Sequence, residues 1–163
     1  MLLRNKLMVS SLVACAFLAS SAATAKPTKD GFGVGFQSTW PSYGLSVKKE
    51  MSDTLTAQGT LGALGNFTSF GARGLYKFKK EPEYDIYGYG GLSYWSWDYD
   101  GYYRGSRNET FNAIGLGLGA GIEYDVAKEI TVNGEIGFNL VNWDSAVSGF
   151  SSFGIGIGAH YWF

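Results

Sequence analysis

The stretch Ile114-Gly-Leu-Gly-Leu-Gly-Ala-Gly-Ile-Glu-Tyr124 decides how the chain is read. Ile114, Leu116, Leu118, Ala120, Ile122 and Tyr124 fall on one parity, while Gly115, Gly117, Gly119, Gly121 and Glu123 fall on the other. A period of two belongs to a β-strand, whose successive side chains point to opposite faces, and not to a helix. One face is therefore apolar and the other almost bare.

The same alternation extends outward in both directions. Ile130, Val132, Ile136, Phe138 and Leu140 alternate with Thr131, Asn133, Glu135, Gly137 and Asn139. The chain ends with Phe153, Ile155, Ile157, Ala159, Tyr161 and Phe163 against Gly154, Gly156, Gly158, His160 and Trp162. Toward the N-terminus, Ile86, Leu92 and Tyr94 define one face of the segment from Tyr84 to Trp95. Phe70, Ala72, Tyr76 and Phe78 share a face opposite Gly71, Arg73 and Lys77, and Leu55, Ala57 and Leu61 oppose Thr56, Gln58 and Thr60. Tyr43, Leu45 and Val47 oppose Gly44, Ser46 and Lys48, and Phe32, Val34 and Phe36 oppose Gly33, Gly35 and Gln37. These are eight candidate strands, mostly near the length of about 9–11 residues that a tilted strand needs to cross a bilayer. Three connections are tight and polar, at Lys49–Asp53, Lys79–Glu83 and Val126–Glu129. Of the others, Thr39–Ser42 and Gly65-Asn66 are short, Ser96–Thr110 is long and Asn142–Phe150 is intermediate.

The polar parity is dominated by Gly, Ser, Thr, Asn and Gln and carries few charges. A water-facing sheet surface would be richer in charge. A small barrel in lipid inverts the arrangement: apolar residues face hydrocarbon, and the narrow interior must be filled by side chains. Closure also satisfies every backbone N–H and C=O, which an open sheet edge in hydrocarbon could not do. Tyr43, Tyr76, Phe78, Tyr84, Tyr94, Tyr124, Tyr161 and Phe163 gather at strand ends, where interfacial aromatic girdles sit. The expected fold is all-β, an eight-stranded antiparallel up-and-down transmembrane β-barrel. If both termini lie on the periplasmic side, the tight turns lie there too and the long loops face outward.

Composition agrees. The 163 residues include 24 glycines and 17% aromatics with only 3 prolines, and a disordered chain would be poor in aromatics. The start of the chain is an export leader: Arg4 and Lys6 precede an apolar run from Leu7 to Ala22, and Ala23-Thr24-Ala25 is a small-x-small cleavage pattern. This divides the chain into a signal peptide, 1–25, and a barrel domain, 26–163. Leu12-Val13-Ala14-Cys15 also matches a lipobox, but the apolar run continues past Cys15, which favours an ordinary leader position. The mature chain then contains no cysteine, so disulfides and Cys-based metal sites are excluded. Losing Arg4 and Lys6 from the 13 basic residues leaves 11 against 14 acidic ones, a net charge of −3. No basic patch of the kind that nucleic-acid binding requires is present.

On the residues Gly115–Tyr124, Ile130–Phe138 and the terminal Gly158-Ala-His-Tyr-Trp-Phe163, the sequence resembles the OmpA-like and opacity-type outer-membrane barrel superfamily. The resemblance implies residence in a bacterial outer membrane after Sec export, with lipid and lipopolysaccharide as surroundings. It also implies that Tyr161 and Phe163 act as the C-terminal signal read by the outer-membrane insertion machinery.

Chemistry-bearing residues are few. Gly117-Leu-Gly119-Ala-Gly121 lacks the spacing of a dinucleotide fingerprint, and no helix follows it. Asp98-Tyr-Asp100-Gly101 begins like a calcium loop but lacks the later ligands. His160 is the sole histidine, so a multi-histidine metal site is excluded, and no cofactor is expected. Lys48, Arg73, Glu123, Glu135 and His160 fall on the enclosed parity and are expected to form a polar interior cluster. Trp95, Trp97, Tyr99, Tyr102, Tyr103 and Arg104 crowd the longest loop. They are the best candidates for binding an external ligand or surface glycan, although the simpler reading is that the rings form the outer girdle and cap the barrel. The functional expectation is a non-enzymatic envelope barrel with a structural or surface-binding role. The alternative is a barrel-type lipid A acylase or deacylase using His160, with Glu135 or Ser46 approaching it. A diffusion porin is disfavoured, since those barrels use about 16–18 strands.

Overall fold

The computed structural model describes residues 31–39, 42–64, 66–99, 109–143 and 150–163. The expected leader, 1–25, lies outside the described residues. Eight strands follow in chain order: β1 Phe32–Thr39, β2 Ser42–Glu50, β3 Leu55–Leu64, β4 Phe67–Lys80, β5 Tyr84–Tyr99, β6 Glu109–Ala127, β7 Ile130–Trp143 and β8 Phe150–Trp162. Each pairs antiparallel with the next, and β8 returns to β1, with His160 opposite Gly35, to close the barrel. The backbone of Phe163 donates to the Phe32 carbonyl at 3.1 Å, and Trp162 donates to Glu129 at 2.7 Å, so the C-terminus is tied to the barrel's turn end.

The wall is inverted relative to a water-soluble sheet. Phe153 and Ile155 are 86% and 81% exposed, whereas Lys48 and Glu135 are 0% and 5% exposed. Exposed aliphatic or aromatic side chains line every strand's outer parity, a surface that is favourable in hydrocarbon and not in water. Aromatic pairs mark both rims. At the turn end Tyr161 packs edge-on to Phe163 at 5.0 Å. At the loop end Phe67 stacks on Tyr43 at 5.6 Å and meets Trp97 edge-on at 6.5 Å.

Strand ends differ from the sequence expectation in one place that matters. β5 and β6 run on past Ser96 and Thr110, with Trp95 opposite Ala113, Trp97 opposite Phe111 and Tyr99 opposite Glu109. The physical reason is that Trp and Tyr are good strand formers and keep the period of two, so the ladder continues through what composition marks as a loop. Bulges at Lys77/Lys79 and Asp125/Ala127 shift the register beside two turns.

Two kinds of glycine recur in the wall. Gly44 sits at φ 142°, where a side chain is strained, and an added Cβ would run into the Leu61 carbonyl of β3. On β6, an added Cβ at Gly119 would come within 2.7 Å of the Tyr89 ring, and at Gly121 within 2.7 Å of the Tyr87 ring. The bare face of Ile114–Tyr124 is therefore occupied: inward tyrosines of β5 lie across it.

Candidate functional site

The interior is the densest constellation of chemistry in the molecule. Its parity follows from alternation, but its partners come from strands that face one another across the lumen. Glu135 of β7 is the hub. Its carboxylate receives both terminal nitrogens of Arg73 (β4), each at 2.8 Å, in a bidentate pair. It also accepts from the Tyr87 hydroxyl at 2.6 Å, Thr39 at 2.7 Å, Asn133 at 3.2 Å and Gln37 at 3.3 Å. Charge-assisted bonds of this kind are the strong ones, and a buried carboxylate needs them to offset lost hydration. Arg73 Nε donates to Gln58 at 2.8 Å, and the guanidinium lies 4.7 Å above the Tyr89 ring.

Nearer the turn end, Lys48 of β2 pairs with Glu123 of β6. Lys77 pairs with Glu50 and lies 3.3 Å from Asp85. Between these layers, the His160 Nε2 lies 2.8 Å from the Ser46 hydroxyl, which accepts from the Gln58 amide at 2.6 Å. Trp162 donates to Thr131 at 3.1 Å. At the loop end the lumen turns apolar, where Trp95, Ala113 and Val141 pack together with Phe67 against them.

Lys48, Arg73, Glu123, Glu135 and His160 are thus all placed inside, divided into two ion pairs and a His160–Ser46 contact. Sequence reasoning missed Tyr87 and Tyr89, yet the signal was present: both share parity with Asp85, opposite Ile86 and Leu92. Gln37 and Gln58 were visible as inward residues, but their role as bridges depends on register.

The structure separates the six loop candidates. Trp95 is 5% exposed and points inward, so it is a plug and not a loop residue. Trp97, two residues on and of the same parity as Trp95, is half exposed at the loop-end rim. Tyr99 ends β5, and its side chain lies outside the described residues, as do Tyr102, Tyr103 and Arg104 altogether. Tyr161 and Phe163 both face outward at the turn end.

Ser46 and His160 form the pair that a hydrolase would need, since a histidine can take a proton from a serine hydroxyl. The two are 0% and 2% exposed and enclosed by the wall. Among the described residues, no group of three His, Cys, Asp or Glu side chains is gathered to hold a metal ion.

Comparison with known proteins agrees with this architecture. A family model described as "Outer membrane protein beta-barrel domain" matches residues 44–163. The N-terminal β-barrel domain of OprF from Pseudomonas aeruginosa is similar in fold, with a TM-score of 0.56 and 12% identity, covering 80% of this chain and 93% of that one. Neisserial surface protein A gives 0.53 and 18%, covering 81% and 93%. No curated protein sequence matches.

Proposed function

The chain belongs to the outer membrane protein beta-barrel domain family, and from that premise we propose that it is a non-enzymatic envelope barrel with a structural and surface-binding role. It is exported through the Sec pathway, loses residues 1–25, and inserts with Tyr161 and Phe163 presented to the insertion machinery. Its turn end faces the periplasm, and its loop end meets lipopolysaccharide and any external ligand or surface glycan. The observation that carries this reading is the filled lumen, in which Glu135 and its six hydrogen-bond donors bridge the strands. Among the described residues, a lumen so bonded leaves little room for a solute to pass, which gives the outer surface and loops the work.

The Ser46–His160 contact favours one competing reading, a lipid A acylase or deacylase. Enclosure weighs against it, because an ester must reach the nucleophile before a base can help. Mass spectrometry of lipid A from cells carrying His160→Ala separates the two. The proposal expects an unchanged profile, and a lost acyl modification would establish the enzyme. For the binding role, deletion of residues 101–106 should leave heat-modifiable gel migration intact while abolishing surface binding. Binding that survives the deletion would place the contact elsewhere.

A further inference from the structure

The outer wall is not evenly covered. In the middle of the β4–β5 hairpin Gly74 stands opposite Gly90, and two residues nearer the turn Gly88 stands opposite Ala120 of β6. These four residues floor a hollow of about 570 Å³ on the hydrocarbon side, with Tyr76 and Phe138 on its rim. Its size falls within the range of about 300–1,000 Å³ common for small-molecule sites. A Cβ added at Gly74 or Gly90 would meet nothing within 4 Å, so the barrel's own packing does not demand glycine at either position. On the turn side Phe78 borders the hollow, its ring 3.4 Å from the point where a Gly88 Cβ would stand. A gap left in such a wall forfeits dispersion contacts, so in a bilayer an acyl chain fills it.

The turn below this hollow carries both signs of charge. Lys79 and Lys80 end β4, and Glu81 and Glu83 precede Tyr84, where β5 begins. The Lys79 ammonium lies 3.2 Å from Glu81 and donates to the Tyr84 hydroxyl at 3.4 Å, which leaves it one N–H. Lys80 spends one N–H on the Asp53 carbonyl at 2.8 Å and keeps two. Two cations beside two carboxylates complement a zwitterionic headgroup, phosphate on the lysines and ammonium on the glutamates. A purely anionic headgroup would face Glu81 and Glu83 with nothing to offer them.

We propose that this face binds one zwitterionic glycerophospholipid of the phosphatidylethanolamine type. Its phosphate sits at Lys79 and Lys80, its ammonium at Glu81 and Glu83, and one acyl chain lies in the glycine hollow. The lengths agree. Gly88 and Gly90 lie four and six residues beyond Tyr84, which is about 14–20 Å along a strand. At a tilt of about 35–45° that becomes roughly 10–17 Å of depth. Half the hydrocarbon thickness is about 15 Å, so a chain anchored at this turn ends in the hollow. The inference rests on the turn end facing the periplasm, where glycerophospholipid and not lipopolysaccharide forms the leaflet.

The mature barrel is folded in detergent micelles, mixed with equimolar phosphatidylethanolamine, phosphatidylglycerol and lipid A, and released from the micelle for native mass spectrometry. One phosphatidylethanolamine should stay bound in preference to the other two. Gly90→Leu fills the hollow and should lose that adduct, and Gly74→Leu should do the same from the neighbouring strand. The heat-modifiable gel shift verifies that each variant is folded. Lys79→Gln leaves the hollow intact and should lower the bound fraction about twofold to fivefold, the scale of an exposed charge contact. Val34→Leu, on the outer wall of β1, should bind as the wild type does. If no lipid is retained, if phosphatidylglycerol is preferred, or if either folded Gly90→Leu or Lys79→Gln binds at the wild-type level, the site is overturned while the orientation stands. Preference for lipid A that Gly90→Leu abolishes would overturn both.

Discussion

Replacing Glu135 with Ala probes the lumen at its hub. The change strips Arg73 of its bidentate partner while the guanidinium stays enclosed, with a side chain only 11% exposed. It also removes the acceptor for Tyr87, Thr39, Asn133 and Gln37. Breaking a buried ion pair from one side costs about 3–5 kcal/mol, because a charge is left uncompensated. Each stranded neutral donor adds about 1 kcal/mol or more where water cannot replace the carboxylate. The expected loss for Glu135→Ala is therefore at least about 3 kcal/mol. Arg73→Met should cost a similar amount, for the same reason reversed. The double variant Arg73→Met/Glu135→Ala removes both charges, so it should be at least about 2 kcal/mol less destabilised than the two single losses added together. The assay is urea unfolding of the refolded barrel in lipid vesicles, followed by tryptophan fluorescence and by the heat-modifiable gel shift. Additive losses, or a Glu135→Ala loss below about 1 kcal/mol, would refute the claim that this pair is a coupled, enclosed bond.

Other consequences are simpler to state. Gly121→Leu collides with the Tyr87 ring and should abolish the folded gel form, whereas Gly90→Leu, whose Cβ meets nothing within 4 Å, should fold normally. Gly44→Ala must hold φ 142° against the Leu61 carbonyl of β3 and should lose about 1–3 kcal/mol in the same unfolding assay. Ile155→Arg on the outer wall should cost about 2–4 kcal/mol in vesicles if the residue lies near the bilayer midplane. Removing Tyr161–Phe163 unties the closure at Phe32 and Glu129 and should reduce the yield of folded barrel in membrane fractions.

The strand count and the outward and inward faces were legible in the sequence, because parity alone carries them. Glycine opposite Leu or Ile from Ile114 to Ile122 marks which side meets lipid. Partnership was not legible. Lys48 and Glu123 sit on strands separated by three others, and only the closed register turns two inward charges into a pair. The extent of β5 was misjudged for a different reason. Tyr94–Tyr99 mixes rings with Ser and Asp, a composition shared by binding loops and by strand ends at a membrane interface. Pairing of Trp95 with Ala113 and Trp97 with Phe111 decides it. Inward Tyr87 and Tyr89 were overlooked because in Tyr84–Trp95 only the apolar parity of Ile86, Leu92 and Tyr94 was traced, and rings on the opposite parity break the polar pattern seen elsewhere.

The account rests on which wall of the barrel meets hydrocarbon, and tryptophan quenching by brominated acyl chains measures this directly. Two single-tryptophan variants folded in vesicles suffice: one keeps only Trp162, which is 3% exposed and inward, and the other carries only Ile155→Trp on the outer wall. Brominated lipid should quench the tryptophan at position 155 strongly and leave Trp162 nearly as bright as in ordinary lipid. Quenching of both alike, or of Trp162 alone, would contradict the inverted barrel.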